Sequence, residues 1–415
     1  MKKTRKSHVI GLVFGLVLLL ACIVVANLDN IGAVRPERPA KYVFLFIGDG
    51  MGASHVAAAE SYLSWKEDGE KRLRQLSFTG FPILGMTATW SADRNVTCSS
   101  AAGTAIACGV KTCNGRLGIT PDGDTLESLA VALKEKGYKI GIMSSVPVNH
   151  ATPAAFYGHN TDRHDYYSIT REIPASGFDF FAGAGFIDYA GKSGDMKDSR
   201  SLLEEGGYTV CFGADEFDKR KSGATKMVLC QETGRDRNAS EYRVEKSPGT
   251  DISSGEMMNK CLEFLGDKSP FFIMYEQGEI DWAAHENKTM PMIESILKLD
   301  EAVKAALAFY RTHPDETLII VTADHETGGL APGATSTWNE VDLGWKTLDS
   351  IWVSSGYENN LDYGQNRAMN DSAFIGWTTR GHTGGPVPVY AIGRGSERFA
   401  GRFDNTGIRE KILPE

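Results

Sequence analysis

Five short and nearly unbroken apolar runs constrain the fold more than any other feature of this chain. They are YVFLFIG at 42–48, KIGIMSSV at 139–146, PFFIMYE at 270–276, TLIIVTA at 317–323 and VPVYAIG at 387–393. Continuous rather than alternating hydrophobicity predicts strands buried on both faces, hence a largely parallel sheet covered by helices. Between the runs, TLESLAVALKEKG at 125–137 and MIESILKLDEAVKAALAFYR at 292–311 carry the pattern of amphipathic helices. The expected class is therefore α/β, with a large, mostly parallel central sheet flanked by helices. Residues 186–250 and 330–370 are rich in Gly, Ser, Asp and Asn and read as insertions over that sheet. With no repeat and no low-complexity linker, a single domain over 40–415 is the simpler organisation.

At 415 residues, 42% of them hydrophobic and 23% charged, the chain is long enough for one large core. Its net charge of −9, without any basic stripe, argues against a nucleic-acid-binding role. The first residues, MKKTRKSH, are basic and precede the apolar run VIGLVFGLVLLLACIVVA, which ends at Ala26. Residues 1–26 thus read as a signal peptide or an N-terminal membrane anchor, and the protein as exported, periplasmic or associated with the cell envelope. Val24 and Ala26 suit cleavage before Asn27, whereas LLAC ending at Cys22 resembles a lipoprotein box. The apolar Ile23-Val24-Val25 after that cysteine favours simple cleavage over a membrane tether. Six further cysteines, at 98, 108, 113, 211, 230 and 261, are too few for a disulfide scaffold in a chain this long. Cys211 and Cys230, which flank a polar loop, are the one pair expected to join.

Three of the apolar runs deliver an acid: FLFIGDG leads to Asp49, FFIMYE to Glu276, and LIIVTADH to Asp324 with His325. Ligands bind outside the carboxyl ends of strands in open α/β sheets, so these acids are expected to converge at one rim. In EQGEIDWAAHEN, a helix after Gly278 sets Asp281 and His285 four residues apart on one face, a spacing that lets two side chains grip one ion. His382 in GHTGG adds a third imidazole. The mixed nitrogen and oxygen donors suit zinc, with oxygen positions left for a harder ion such as magnesium. A two-metal site suits hydrolysis of phosphate esters. The stretch NVTCSSAAGTAIACGVKT at 95–112 offers Cys98, Ser99 and Ser100 ahead of a small-residue segment that suits a helix with its N-terminus turned to an anion. His8, His55, His159, His164 and His313 are assigned no role.

GDGMG, TCSSAAGTAIACGVKT, HATPAA, EQGEIDWAAH, TADHETGG and GHTGG, in this order, resemble the motifs of the alkaline phosphatase family. They lie within residues 42–393. The resemblance implies two Zn²⁺ and one Mg²⁺ per chain: one zinc held by Asp281, His285 and His382, a second by Asp49, Asp324 and His325. The third, magnesium, would be held by Asp49, Thr152 and Glu276, with His150 beside it. It makes Ser99 the nucleophile and Arg163 the phosphate clamp. Where many members have an arginine-orienting Asp this chain has Cys98, and His150 and Trp282 stand where some members carry Asp and Lys.

The implied activity is hydrolysis of small phosphate monoesters through a phosphoserine on Ser99, with a homodimer expected on family grounds alone. A phosphodiesterase or sulfatase of the same superfamily is the nearest rival. Thr152, Glu276 and Arg163 favour a dianionic monoester over either. A non-catalytic zinc- or phosphate-binding protein is disfavoured because every expected ligand is present, and redox chemistry because no C-x-x-C pair exists.

Overall fold

The computed structural model describes residues 39–69, 74–239, 251–334, 340–356 and 361–414. Residues 1–26, read above as a signal peptide or membrane anchor, and Cys22 among them, lie outside the described residues. Among those described, no helix is long and apolar enough to cross a membrane.

Residues Ala40–Leu413 form one compact unit around a ten-stranded sheet. Its strands are β1 (Tyr42–Gly48), β2 (Ile83–Ala88), β3 (Lys139–Ser144), β4 (Phe180–Gly183), β5 (Thr209–Phe212), β6 (Met227–Cys230), β7 (Phe271–Gln277), β8 (Thr317–Thr322), β9 (Val387–Gly393) and β10 (Gly401–Asp404). They lie side by side in the order β10-β2-β9-β8-β1-β7-β3-β4-β6-β5. All neighbours pair in parallel except β9, which runs antiparallel to both β2 and β8. The run at 387–393 is therefore a strand, as expected, but a reversed one.

β1 shows why the strand sequences are continuously apolar. Tyr42, Phe44 and Phe46 enter the core on one face of the sheet, Val43, Leu45 and Ile47 that on the other, and all six are buried. Helices α4 (Ser254–Leu265) and α6 (Thr289–Thr312) cover the first face, with Met257, Ile293 and Leu299 in its core. Helix α2 (Ser99–Cys108) lies on the second, with Ile106 and Ala107 buried there. Helices α1 (Ala53–Asp68), α3 (Ala151–Ala154), α5 (Glu279–His285) and α7 (Tyr363–Ser372) are the others used below. The helix expected at 125–137 is shorter, Leu129–Glu135, because Ser128 caps its start by accepting from the Val131 N–H.

Two expectations are corrected. The segment 186–250 is not simply an insertion over the sheet, since β5 and β6 extend the sheet itself at its edge. Cys211 and Cys230 are both free and buried. Cys211 pairs in register with Leu229 and Cys230 with Phe212, so the two thiols fall on opposite faces and enter different cores. Side chains one position out of register across a ladder cannot meet.

Helix α2 is buried along its whole length and packs closely on α3. Gly103 permits this approach: a Cβ there would lie 3.0 Å from Ala155 Cβ and 3.5 Å from Thr152 Cα. The branched side chain of Gly103→Val must push the two helices apart, and the variant is expected to lose about 1–3 kcal/mol in urea unfolding, the usual cost of overpacking. A denaturation midpoint equal to the parent's would show that the contact is not tight.

Candidate metal centre and active site

The site forms at the carboxyl ends of the three central strands. Ile47 of β1 stands in register with Glu276 of β7 and with Thr322 of β8, so Asp49 and Asp324 leave their strands at one level and Glu276 lies two residues below them. Gly50 (φ +72°) turns the chain sharply after Asp49, and a Cβ there would lie 2.9 Å from Asp281 Oδ1. Only glycine tolerates both the left-handed backbone and that approach. Its N–H donates to Asp324 Oδ1 (3.1 Å), tying the ends of β1 and β8 together.

Three clusters result: Asp281, His285 and His382; Asp49, Asp324 and His325; and Asp49, His150 and Glu276. Thr152, on α3, is fully buried. The residues expected for the first two ion sites are thus brought together, and Asp49, shared with the second, meets Glu276 and His150 in the third.

The imidazoles report what the first two clusters are built to hold. His382 Nδ1 faces the Thr97 carbonyl at 2.8 Å and His285 Nδ1 the Arg380 carbonyl. A carbonyl can only accept, so each Nδ1 carries the proton and each Nε2 presents a lone pair. Those two Nε2 atoms nevertheless stand 3.2 Å apart, with Asp281 Oδ2 3.2 Å from the His285 nitrogen. His325 follows the same pattern. Thr327 Oγ1 donates to Asp281 Oδ1 at 2.5 Å and takes the His325 Nδ1 proton at 3.2 Å. His325 Nε2 is left 3.3 Å from Asp49 Oδ1, 3.2 Å from Asp324 Oδ2 and 3.3 Å from Ser99 Oγ. Lone pairs and carboxylate oxygens that converge without a proton between them match the donor set of a divalent cation.

The third cluster carries the same signature. Among the described residues, Asp49 Oδ1 and Oδ2, Thr152 Oγ1, Glu276 Oε1 and, from the second cluster, Asp324 Oδ2 are buried without a hydrogen-bond partner, although Ser144 donates to the other Glu276 oxygen. Burial and the neighbouring carboxylates hold the Asp49 carboxyl well above the usual range. Burial, together with other acids, pushes Glu276 and Asp324 up to about 7. Asp281 goes the other way: burial raises it, but His285 and His382 outweigh that and hold it far below its ordinary value. Burial pushes the His325 and His382 imidazoles below their ordinary value.

Ser99, Cys98 and Ser100 are separated by geometry. Cys98 caps α2 from an extended backbone, and its Sγ lies 3.2 Å from Ser100 Oγ and takes the Gly115 N–H at 3.2 Å. Cys98 and Ser100 are thus engaged with each other, while the Ser99 hydroxyl faces His325 and the second cluster. Burial raises the Cys98 thiol, but Arg163 and surrounding donors outweigh it and leave the pKa lowered. Arg163 is only 7% exposed, and its Nη2 lies 3.2 Å from His150 Nε2, which links the guanidinium to the third cluster. Trp282 meets the His150 ring edge-on at 5.8 Å.

Of the histidines given no role, the four among the described residues lie outside all three clusters. His55 is buried, accepts from the Gly52 N–H and is pushed down to about 4 by burial. His159 pairs with Glu172, His164 with Asp162, and His313 stacks on Phe309. His8 lies outside the described residues. What the sequence reading missed are the groups that aim the ligands: Thr327, the carbonyls of Thr97 and Arg380, and Ser144. Thr327 stands two residues after His325 inside TADHETGG and was open to suspicion; the backbone carbonyls carry no sequence signal.

The alkaline phosphatase family model matches residues 40–189 and 179–413. Alkaline phosphatase 3 of Bacillus subtilis (strain 168) is 31% identical over 425 residues, spanning 90% of this chain and 88% of that protein. Among solved structures, the alkaline phosphatase of the Antarctic bacterium TAB5 superposes with a TM-score of 0.71 at 30% identity, covering 91% of this chain and 98% of that one. A histidine-to-aspartate variant of that enzyme, 29% identical at TM-score 0.71 with the same coverage, is described with Mg bound in the M3 site.

The raised carboxyls set a pH dependence. In the metal-free chain, Glu276 and Asp324 keep their protons up to about pH 7, whereas in an unfolded chain they lose them near pH 4. Their contribution to folding is therefore present below pH 4 and is lost as the pH rises to 7. A cation must displace those protons below pH 7 and meets none above it. The rise in melting temperature on adding zinc and magnesium to chelator-treated protein is accordingly expected to be larger at pH 8 than at pH 6. An equal rise at both would remove these carboxylates from the ion sites.

Proposed function

The chain belongs to the alkaline phosphatase family and is a metal-dependent hydrolase of phosphate monoesters, and from that premise we propose which of its residues do the work. Ser99 is the nucleophile, Arg163 the phosphate clamp, and the three clusters hold two zinc ions and one magnesium ion. Asp281, His285 and His382 flank the leaving oxygen; Asp49, Asp324 and His325 flank Ser99; Asp49, Thr152 and Glu276, with His150 beside them, form the magnesium site. The observation that carries this reading is the convergence of three Nε2 lone pairs on buried carboxylates. When bound, the ions supply Lewis acidity, lowering the pKa of the serine hydroxyl and neutralising charge on the departing oxygen.

Arg163 places two guanidinium donors on the non-bridging phosphoryl oxygens. Ser99 Oγ, having given up its proton to solvent, attacks phosphorus opposite the ester oxygen, and the P–O ester bond breaks. The ester oxygen leaves as the alcohol by taking a proton from solvent, with the phosphoryl group on Ser99. Water then attacks the phosphoserine and releases a proton, the P–O bond to Ser99 breaks, the Ser99 oxygen regains a proton, and inorganic phosphate is released. Thr97, Arg380 and Thr327 keep the imidazoles aimed throughout. Cys98 puts a thiol, lowered from its ordinary value against the effect of burial, in the field of Arg163 and takes the place of a carboxylate that would orient it. Residues 1–26 fit an export signal for a periplasmic or envelope enzyme, with a membrane tether the alternative if they are retained, and a homodimer fits the family.

Ser99→Ala is expected to abolish the phosphoenzyme trapped at acid pH and to lower kcat by about 1000-fold or more, while Cys98→Ala and Ser100→Ala keep the trapped species. Mass spectrometry of the trapped wild-type protein decides the matter, since phosphate on Cys98 or Ser100 would overturn the assignment. His285→Ala should lower zinc content and activity together. Adding magnesium to zinc-loaded, magnesium-free enzyme should raise kcat, and a flat titration would remove magnesium from the third site.

A further inference from the structure

The wall of the Asp281, His285 and His382 cluster contains a cation that the chemistry above leaves unused. Arg380 lies two residues before His382, and its carbonyl takes the His285 Nδ1 proton. Its side chain doubles back, so that Nε donates to the His285 carbonyl at 3.1 Å. The guanidinium carbon sits 5.0 Å from the centre of the Tyr363 ring, at the start of α7. Both residues are exposed, Tyr363 by 43%. Among the described residues the Arg380 guanidinium is held by one carbonyl and one aromatic face, with no carboxylate pairing it. Guanidinium stays charged at any working pH, and with Nε engaged its terminal amino groups remain for a planar anion.

Place gives this cation a purpose. The His285 side chain is 34% exposed, so the cluster assigned above to the leaving oxygen is partly open to solvent, and Arg380 is fixed to the carbonyl of that same residue. The alcohol portion of a bound ester extends beyond that oxygen. We propose that Arg380, braced by Tyr363 and the His285 carbonyl, forms a subsite for an oxyanion on the alcohol portion, either a carboxylate or a second phosphate. The enzyme then selects monoesters of anionic alcohols over those of neutral ones. The inference rests on the assignment of Asp281, His285 and His382 to the leaving oxygen.

The test uses two pairs of compounds that differ only in a distal carboxylate: phenyl phosphate with 4-carboxyphenyl phosphate for kinetics, and the corresponding phosphonates for calorimetric binding. Full-length metal-loaded enzyme, Arg380→Ala and Arg380→Lys are compared by the ratio of the two members of each pair. A disturbance of His285 caused by losing the Nε contact acts on both members and cancels in the ratio. Arg380→Ala is expected to lower the preference for the carboxylate by roughly threefold to tenfold, in KM and Kd rather than kcat, the scale of a partly exposed charged contact. Arg380→Lys should retain part of the preference, and high salt should erode it in the wild type. An unchanged ratio in Arg380→Ala overturns the subsite and leaves the phosphatase reading standing. Failure of the wild type to hydrolyse phenyl phosphate would overturn that reading separately.

Discussion

Four carboxylates, Asp49, Glu276, Asp281 and Asp324, are almost wholly buried at one end of the sheet, and the rest of the site is arranged around their mutual repulsion. Removing one such charge from water costs several kcal/mol even after relaxation. The chain offsets this for Asp281, through His285 and His382, but little for the other three: Arg163 acts on Asp49, while burial pushes His325 and His150 well below the ordinary imidazole value. Two acids therefore titrate near 7 in the metal-free chain. The cluster is built for cations the chain does not encode.

Rigidity comes from the sheet. Asp49, Glu276 and Asp324 are fixed by β1, β7 and β8, which pair in parallel at the centre of the sheet and are buried on both faces. Displacing one acid by an ångström requires moving a strand packed between two cores. The imidazoles, by contrast, come from outside that sheet: His325 follows the end of β8, His382 lies in a two-residue strand paired with Glu326–Thr327, and His285 ends the short helix α5. They are aimed instead by hydrogen bonds from Nδ1 to Thr97, Arg380 and Thr327. Thr327 serves two clusters at once, because its hydroxyl donates to Asp281 and accepts from His325. The two halves of the site therefore cannot shift independently.

The nucleophile is selected by packing rather than by intrinsic reactivity. A thiolate is the better attacking group in isolation, yet Cys98 is turned toward Ser100 and Gly115, while Ser99 alone of the three is turned to the second cluster. The close approach of α2 to α3 that Gly103 allows brings Ser99, Thr152 and Asp49 into one site. Arg163, held through His150, closes the side where an anion would sit.

Much of this was legible in the sequence. Unbroken apolar runs announced doubly buried strands, an acid near the end of three of them announced a rim of charge, and the spacing of Asp281 and His285 announced a helix with two donors on one face. Those signals are local, written in periodicity and in neighbours along the chain. The sequence did not disclose that 387–393 runs antiparallel, that 186–250 contributes two edge strands, or that Cys211 and Cys230 face opposite cores. Nor did it disclose that Thr327 and two backbone carbonyls orient the imidazoles. Each of these depends on partners tens to hundreds of residues away and on the register between strands. The chemical inventory was thus determined by the sequence, whereas which atom of each side chain faces the cluster was decided only when the strands closed into one sheet.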